Sequence, residues 1–343
     1  MKYTKLIIFC ICLSIFIFHS NGLAAHFGQE YTLSGKTMGT YFTIKFITAK
    51  KPSLPLWQAR VEKRLEEINK KLSMYDPKSE LSLFNDQKIG TSVKVSSDFY
   101  DTMLTAKKLY DLTDGSWDGT VKPLVDLWGF GTKKSIHKIP EADKIALALS
   151  KTGFHHIDIK AQQTLLKTAD ITLDLGSIAK GYGVDALARL FTASGIHDVL
   201  VEIGGELYGS GTNKKGKPWS VGISEPDKQF VNQNLYKIVR LNNHAIATSG
   251  NYRNFFEINK KTYSHIIDPK TGFPVDNQIV SASVISKDCT FADGLATALM
   301  VMDVQKSIAL VNRLEDTECM IIQKKTTKFI SHMSDNFDRF VVK

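Results

Sequence analysis

The chain has 343 residues, of which 43% are hydrophobic and 23% charged, and a net charge of +9. That length supports one large domain or two lobes, and the ordinary apolar content is that of a globular protein. No nucleic-acid recognition motif accompanies the basic balance, so scattered lysines, denser at Lys70-Lys71 and Lys214 to Lys217, suit a solvated surface, anionic lipid or a phosphate ligand.

The first residues, Met1 to Lys5, are charged, Leu6 to Phe18 is apolar, and Gly22, Ala24 and Ala25 are small. This is the pattern of a secretory signal peptide over residues 1–24, with an uncleaved N-terminal anchor as the alternative. The apolar run is short for a bilayer span, which needs about 20 residues. Residues 25–343 then form the exported, periplasmic domain. No lipoprotein box surrounds Cys10 or Cys12, and export leaves Cys289 and Cys319 either as one disulfide or as two unpaired thiols.

Strands are predicted over Tyr31–Gly35 and Tyr41–Phe46, the second alternating around Phe42, Ile44 and Phe46. A helix follows from Pro55 to Ser73, with Trp57, Val61, Leu65, Ile68 and Leu72 as one apolar stripe. Further helices run over Ser97–Leu112 and from Pro140 to Gly153. Short strands cluster at His156–Ile159, Thr164–Lys167 and Ile171–Leu175, and a helix runs from Gly176 to Phe191. Strands return at Val199–Ile203, Trp219–Ile223, Tyr236–Leu241, Phe255–Ile258 and Ile279–Ile285. Helices from Phe291 to Met302 and from Val304 to Leu314 precede terminal strands at Met320–Gln323 and Phe329–Ser331. The elements mix without strict βαβ alternation, and pairs such as His156–Lys167 read as hairpins. The expected class is α+β with mostly antiparallel sheets and packed helices.

Four segments carry chemistry. Asp293 and Thr297 are four residues apart at the start of a helix, so they share one face. A carboxylate and a hydroxyl so placed suit a hard cation completed by phosphate oxygens and water, or they simply face solvent. Asp174 to Asp185 joins a strand end, a small-residue turn and a helix start. It suits either a phosphate on the helix amides or a close helix–sheet contact. Asp114 to Thr120 presents Trp117, which either stacks on a planar ring or sits half-buried in a surface loop, and Asp118, an acceptor for such a ring. Ser264 to Pro274 places His265 before a tight turn, as a proton acceptor for a hydroxyl nucleophile or as a brace for its own turn. In the turn Ala247 to Arg253, Arg253 suits a phosphate or a carboxylate.

In order, Gly35 to Tyr41, Met74 to Pro77, Asp114 to Gly131, Asp174 to Asp185, Ile203 to Glu206, Thr248 to Arg253, Ser264 to Pro274 and Ala292 to Leu299 make the chain similar to the ApbE family of FAD:protein FMN transferases. The resemblance covers roughly residues 31 to 330. It implies a T-fold-like single domain of two lobes that uses Mg²⁺ and takes FAD as substrate. FMN would pass to a threonine or serine hydroxyl of a target protein, with release of AMP. Implied targets are subunits of sodium-pumping NADH:quinone reductase or RNF-type complexes, met at the inner membrane. Carried over by position, Ala179 (through its carbonyl), Asp293 and Thr297 would hold Mg²⁺. Met38, Tyr75, Ser116, Trp117, Asp118, Gly176, Lys180, Tyr182 and Ile267 would contact FAD, and His265 would be the catalytic base. Ala296 departs from relatives that carry an extra carboxylate there. The rival readings are an FAD pyrophosphatase yielding FMN and AMP, and a non-catalytic periplasmic FAD-binding protein.

Overall fold

The computed structural model describes residues 28–131, 138–226, 235–251, 255–259, 261–325 and 328–342. The leader expected at 1–24 and Arg253 lie outside the described residues. No helix among the described residues is long and apolar enough to cross a membrane.

In chain order the elements are β1 (Gln29–Thr37), β2 (Thr40–Thr48), α1 (Leu54–Leu72), α2 (Glu80–Asn85), β3 (Ser92–Lys94), α3 (Ser97–Leu112), α4 (Lys122–Leu127) and α5 (Ala142–Leu149). Then come β4 (Ile157–Lys160), β5 (Thr164–Lys167), α6 (Gly176–Thr192), β6 (Val199–Ile203), β7 (Glu206–Ser210), β8 (Trp219–Ser224), β9 (Leu235–Leu241) and β10 (His244–Gly250). The chain closes with β11 (Phe255–Ile258), β12 (Lys261–Ser264), β13 (Ile279–Ser286), α7 (Cys289–Val301), α8 (Val304–Val311), β14 (Glu318–Lys325) and β15 (Lys328–Met333).

The main sheet has eight strands in the order β1-β2-β6-β7-β10-β13-β14-β15, every neighbouring pair antiparallel. Strand periodicity assigns its two faces. Ala245 and Ala247 of β10 point to the helices, while Ile246 points the other way. On the helical face Phe42, Ile44 and Phe46 pack with Trp57, Val61 and Leu65 of α1 and Val184, Leu187 and Phe191 of α6. On the opposite face Val221 and Ile223 of β8 and Val239 and Leu241 of β9 cover Ile285, Met320 and Ile322. A smaller cluster of Leu124, Trp128, Ile145, Ala148, Phe256 and Ile267 joins α4, α5 and the β11–β12 hairpin.

The α+β expectation holds, and the β4–β5 hairpin is present. Ile171–Leu175, however, is no strand. The Asn85 side chain donates to the Leu173 carbonyl and accepts its N–H, at 2.9 and 2.8 Å, so that backbone is satisfied without a ladder. The glycine-rich stretch Gly204–Gly216 contains β7, and the turn expected at Ala247 belongs to β10 in the middle of the sheet. Cys289 and Cys319 are both buried and free, so the disulfide alternative falls.

Candidate active site

At one end of the sheet the β1–β2 and β6–β7 turns, the end of β10 and the starts of α6 and α7 meet around a cleft of about 900 Å³, at the upper end of ligand-binding cavities. The crossing of α6 and α7 sets its floor. Gly181 lies where the α7 start presses on α6: a Cβ there would stand 2.4 Å from the Cys289 carbonyl oxygen. Asp288, the residue before α7, makes no side-chain cap. Asp185 of α6 replaces it, accepting the Cys289 and Thr290 N–H groups at 2.8 Å each and the Thr290 hydroxyl at 2.6 Å. This cap satisfies amides that a helix start leaves open.

That crossing buries Asp293 to 3% exposure, with its Oδ2 accepting the Gly181 N–H at 3.0 Å. Thr297 is one turn further along, and its hydroxyl lies 3.0 Å from the Ser249 hydroxyl of β10. Lys180 extends its ammonium to 3.5 Å from Asp293 Oδ2 and 3.3 Å from Glu206 Oε1. Burial pushes the Asp293 carboxyl up against the opposing pull of Lys180. Burial, and then Asp293 itself, pushes Glu206 up to about 8. Burial acts to lower Lys180, but Asp293 and Glu206 outweigh it and raise its pKa. Burial and mutual repulsion thus oppose full ionisation of two carboxyls beside one ammonium.

Opposite this floor, His265 follows β12. Its segment is tied down by Val275 N–H to Ile266 O at 3.0 Å and by the Trp128 indole N–H to Gly272 O at 2.8 Å. Gly272 takes φ +76°, a conformation that favours glycine. The Phe130 ring meets His265 edge-on at 6.3 Å. Between floor and wall, Gly176 opens α6, its N–H donating to Asp174 Oδ1 at 2.8 Å.

Of the residues singled out from the sequence, Ser116, Trp117, Asp118, Gly176, Lys180, His265, Ile267, Asp293 and Thr297 line this cleft. Met38, Tyr75, Ala179 and Tyr182 are outside the lining. Met38 sits in the β1–β2 turn at φ +48°, its thioether against the position of Gly183. Tyr75 is 77% exposed. Ala179 lies within the first turns of α6, next to Lys180. The Tyr182 ring is buried, and its hydroxyl donates to Asp98 Oδ1 at 2.6 Å, beneath the Arg64–Asp98 ion pair.

Trp117 is not half-buried, although it lines the cleft. It is 1% exposed, with its indole N–H donating to Ser177 Oγ at 3.0 Å. Asp118 spends both oxygens internally, on the Thr120 N–H and hydroxyl and on the Phe154 N–H. Sequence reasoning assigned no role to Glu206 or Ser249. The Gly204-Gly205 pair, at φ +62° and +108°, was the available signal that Glu206 turns back toward α6.

The site fits Mg²⁺ in chemistry: a buried carboxylate and a hydroxyl on the same helix face are hard oxygen donors. Among the described residues no three His, Cys, Asp or Glu side chains form a metal cluster, so phosphate oxygens and water would complete the shell.

A family model described as "ApbE family" matches residues 38–321. A Vibrio cholerae protein named FAD:protein FMN transferase is 37% identical over 318 residues, 92% of this chain and 94% of its own length. The Escherichia coli K12 protein of the same name is 38% identical over 324 residues, 92% of this chain and 91% of its own. Among solved structures, the flavin transferase ApbE from Vibrio cholerae superposes with a TM-score of 0.83 at 37% identity, covering 91% of this chain and 99% of that one. The apo flavinyl transferase ApbE of Pseudomonas stutzeri gives 0.83 at 33% identity, covering 92% and 97%. By sequence and by fold, the chain belongs to the ApbE family.

Proposed function

We propose that this protein is an FAD:protein FMN transferase, moving FMN from FAD to a hydroxyl of a target protein. The observation that carries the proposal is one cleft gathering the buried Asp293, the part-buried Thr297, the start of α6 at Gly176 and His265. The names of the relatives, over nine-tenths of the chain, support the same reaction.

The target hydroxyl oxygen attacks the phosphorus of the FMN half, and the bond from that phosphorus to the bridging oxygen breaks. AMP leaves with the bridging oxygen, and His265 accepts the hydroxyl proton. Phosphoryl transfer of this kind depends mainly on positioning and charge stabilisation. Asp293 and Thr297 would hold Mg²⁺, whose chemistry is to neutralise charge on the diphosphate. Lys180 adds a cation beside it, and the Gly176 amide end of α6 favours anions. Because Trp117 and the Asp118 carboxylate are internally engaged, they shape the wall rather than grip a ring.

Export through the 1–24 leader and targets among sodium-pumping NADH:quinone reductase or RNF-type subunits at the inner membrane complete the proposal. The test mixes the purified chain with FAD, Mg²⁺ and a threonine-bearing target domain and weighs the target. A gain of FMN minus water, lost in Asp293→Ala, is expected. Free FMN and AMP with an unmodified target would refute transfer in favour of hydrolysis, and intact FAD would leave a carrier.

A further inference from the structure

Lys180 and Glu206 form an arrangement that the transfer reaction alone does not require. Both carboxylates beside the ammonium are nearly sealed from solvent, Asp293 at 3% and Glu206 at 4% exposure. The ammonium lies 3.5 Å from one and 3.3 Å from the other. Glu206 Oε2 is buried without a hydrogen-bond partner. The Lys180 stem runs past the β6–β7 turn, where a Cβ on Gly204 would meet its Cδ at 3.4 Å. The head is therefore guided from both sides, while its position between the two acids remains divisible.

An ammonium and a divalent cation cannot both occupy Asp293 Oδ2. Like charges at such separations repel strongly in a dry site. A cation arriving at Asp293 must displace Lys180, and a lysine driven off without a partner would leave the cleft. Glu206 offers the alternative partner 3.3 Å away.

We propose that Glu206 is a positioning residue that draws the Lys180 ammonium off Asp293, and that Lys180 is the internal competitor for the cation seat until it is drawn away. The proposal rests on the reading that Asp293 holds a divalent cation. In the loaded site Glu206 keeps Lys180 beside the phosphates, and in the empty site Lys180 lies between the two acids.

The experiment measures Mn²⁺ binding to the purified chain without FAD, by titration calorimetry and by the EPR signal of free Mn²⁺. Lys180→Met should bind Mn²⁺ at least tenfold tighter than wild type, about 1.4 kcal/mol. Glu206→Gln should bind severalfold more weakly, because Lys180 then rests on Asp293 alone. In the Lys180→Met background, the loss caused by Glu206→Gln should shrink at least threefold. An unchanged loss there would make Glu206 a ligand in its own right and overturn the proposal, as would Lys180→Met binding no tighter than wild type. Lys180→Met leaves two buried acids without a cation, so its melting curve is recorded first. Lys180→Gln, which keeps a donor for Glu206, is the second variant, with the same expected direction. Asp293→Ala separates the two levels. If it binds Mn²⁺ as wild type does, the cation reading fails and this inference with it; if it abolishes binding, the lysine and glutamate variants decide.

Discussion

Two glycines on α6, two residues apart, should respond to the same substitution very differently. At Gly181 an added Cβ would stand 2.4 Å from the Cys289 carbonyl oxygen, 2.7 Å from its carbon and 2.8 Å from Thr290 Cα, all backbone. Ordinary contact starts at 3.4 Å, so the α7 start must retreat by about 1 Å. The two Asp185 bonds to the Cys289 and Thr290 N–H groups, now 2.8 Å each, would then stretch past useful range. Overpacking costs about 1–3 kcal/mol, and two weakened buried hydrogen bonds about 1 kcal/mol each. Ala returns about 1 kcal/mol of helix propensity. The net for Gly181→Ala is roughly 3 kcal/mol, or about 6 °C of melting temperature for a domain of this size. At Gly183 the neighbours are the Ile203 Cδ1 at 2.9 Å and the Met38 Cε at 3.1 Å, both ends of side chains that can turn aside. Gly183→Ala should cost under about 1 kcal/mol. Differential scanning fluorimetry of both variants is the assay. Equal melting temperatures, or a Gly181→Ala protein as stable as wild type, would refute the argument that backbone contact at the α6–α7 crossing places Asp293.

Further outcomes follow from the same geometry. His265→Ala should lower kcat for flavin transfer about 10²–10⁴-fold while FAD affinity, measured by fluorescence quenching, changes little. Mg²⁺ with FAD should raise the melting temperature, by about 2.7 kcal/mol of stability at a hundredfold excess over Kd, and EDTA should reverse the gain. Asp98 takes two guanidinium bonds from Arg64, at 2.6 and 2.7 Å, and these hold its carboxyl below its ordinary 3.8. A depressed carboxylate stabilises the fold above that value and loses its contribution as pH falls through the lower folded value. Asp98→Asn should therefore cost about 2 kcal/mol at pH 7 and make the melting profile flatter below about pH 4. Trp128→Phe removes the indole bond to Gly272 O and should cut kcat more than it lowers stability, seen by comparing turnover with melting temperature.

The sequence made the long amphipathic elements legible because periodicity alone decides them. The α1 stripe of Trp57, Val61, Leu65, Ile68 and Leu72 is the buried face of the helix. Residues 293 and 297 were legible for the same reason, since helical spacing puts them on one face. What stayed hidden depends on contacts distant in sequence. Ile171–Leu175 reads as a strand, yet the Asn85 amide takes its backbone bonds. Trp117 reads as a loop aromatic, yet Phe154 and Ser177 enclose it. The Tyr182 hydroxyl goes to Asp98, a partner 84 residues away. Glu206 becomes part of the site only through a hairpin whose two glycines bend it back toward α6.

The cleft draws its groups from elements packed in different clusters, bridged at Ile266 and Ile267, which bears on how the chemistry can be protected from water. Asp293, Thr297 and Lys180 stand on helices sealed against the main sheet. His265 follows the β11–β12 hairpin, whose packing partners are α4, α5 and Trp128 in a small cluster of its own. Precise placement needs rigid support on both sides, since a displacement of about 1 Å can cost a hundredfold in rate. The floor is held by backbone contact, buried carboxylate caps and an ion-pair bridge. Among the described residues the wall is held by the Trp128 indole bond, the Val275 N–H to Ile266 O bond and a small buried cluster. The wall carries His265, the proposed acceptor of the target hydroxyl's proton. Transfer over hydrolysis then depends on whether a docked target closes this wall against water, because the floor is the same for both reactions.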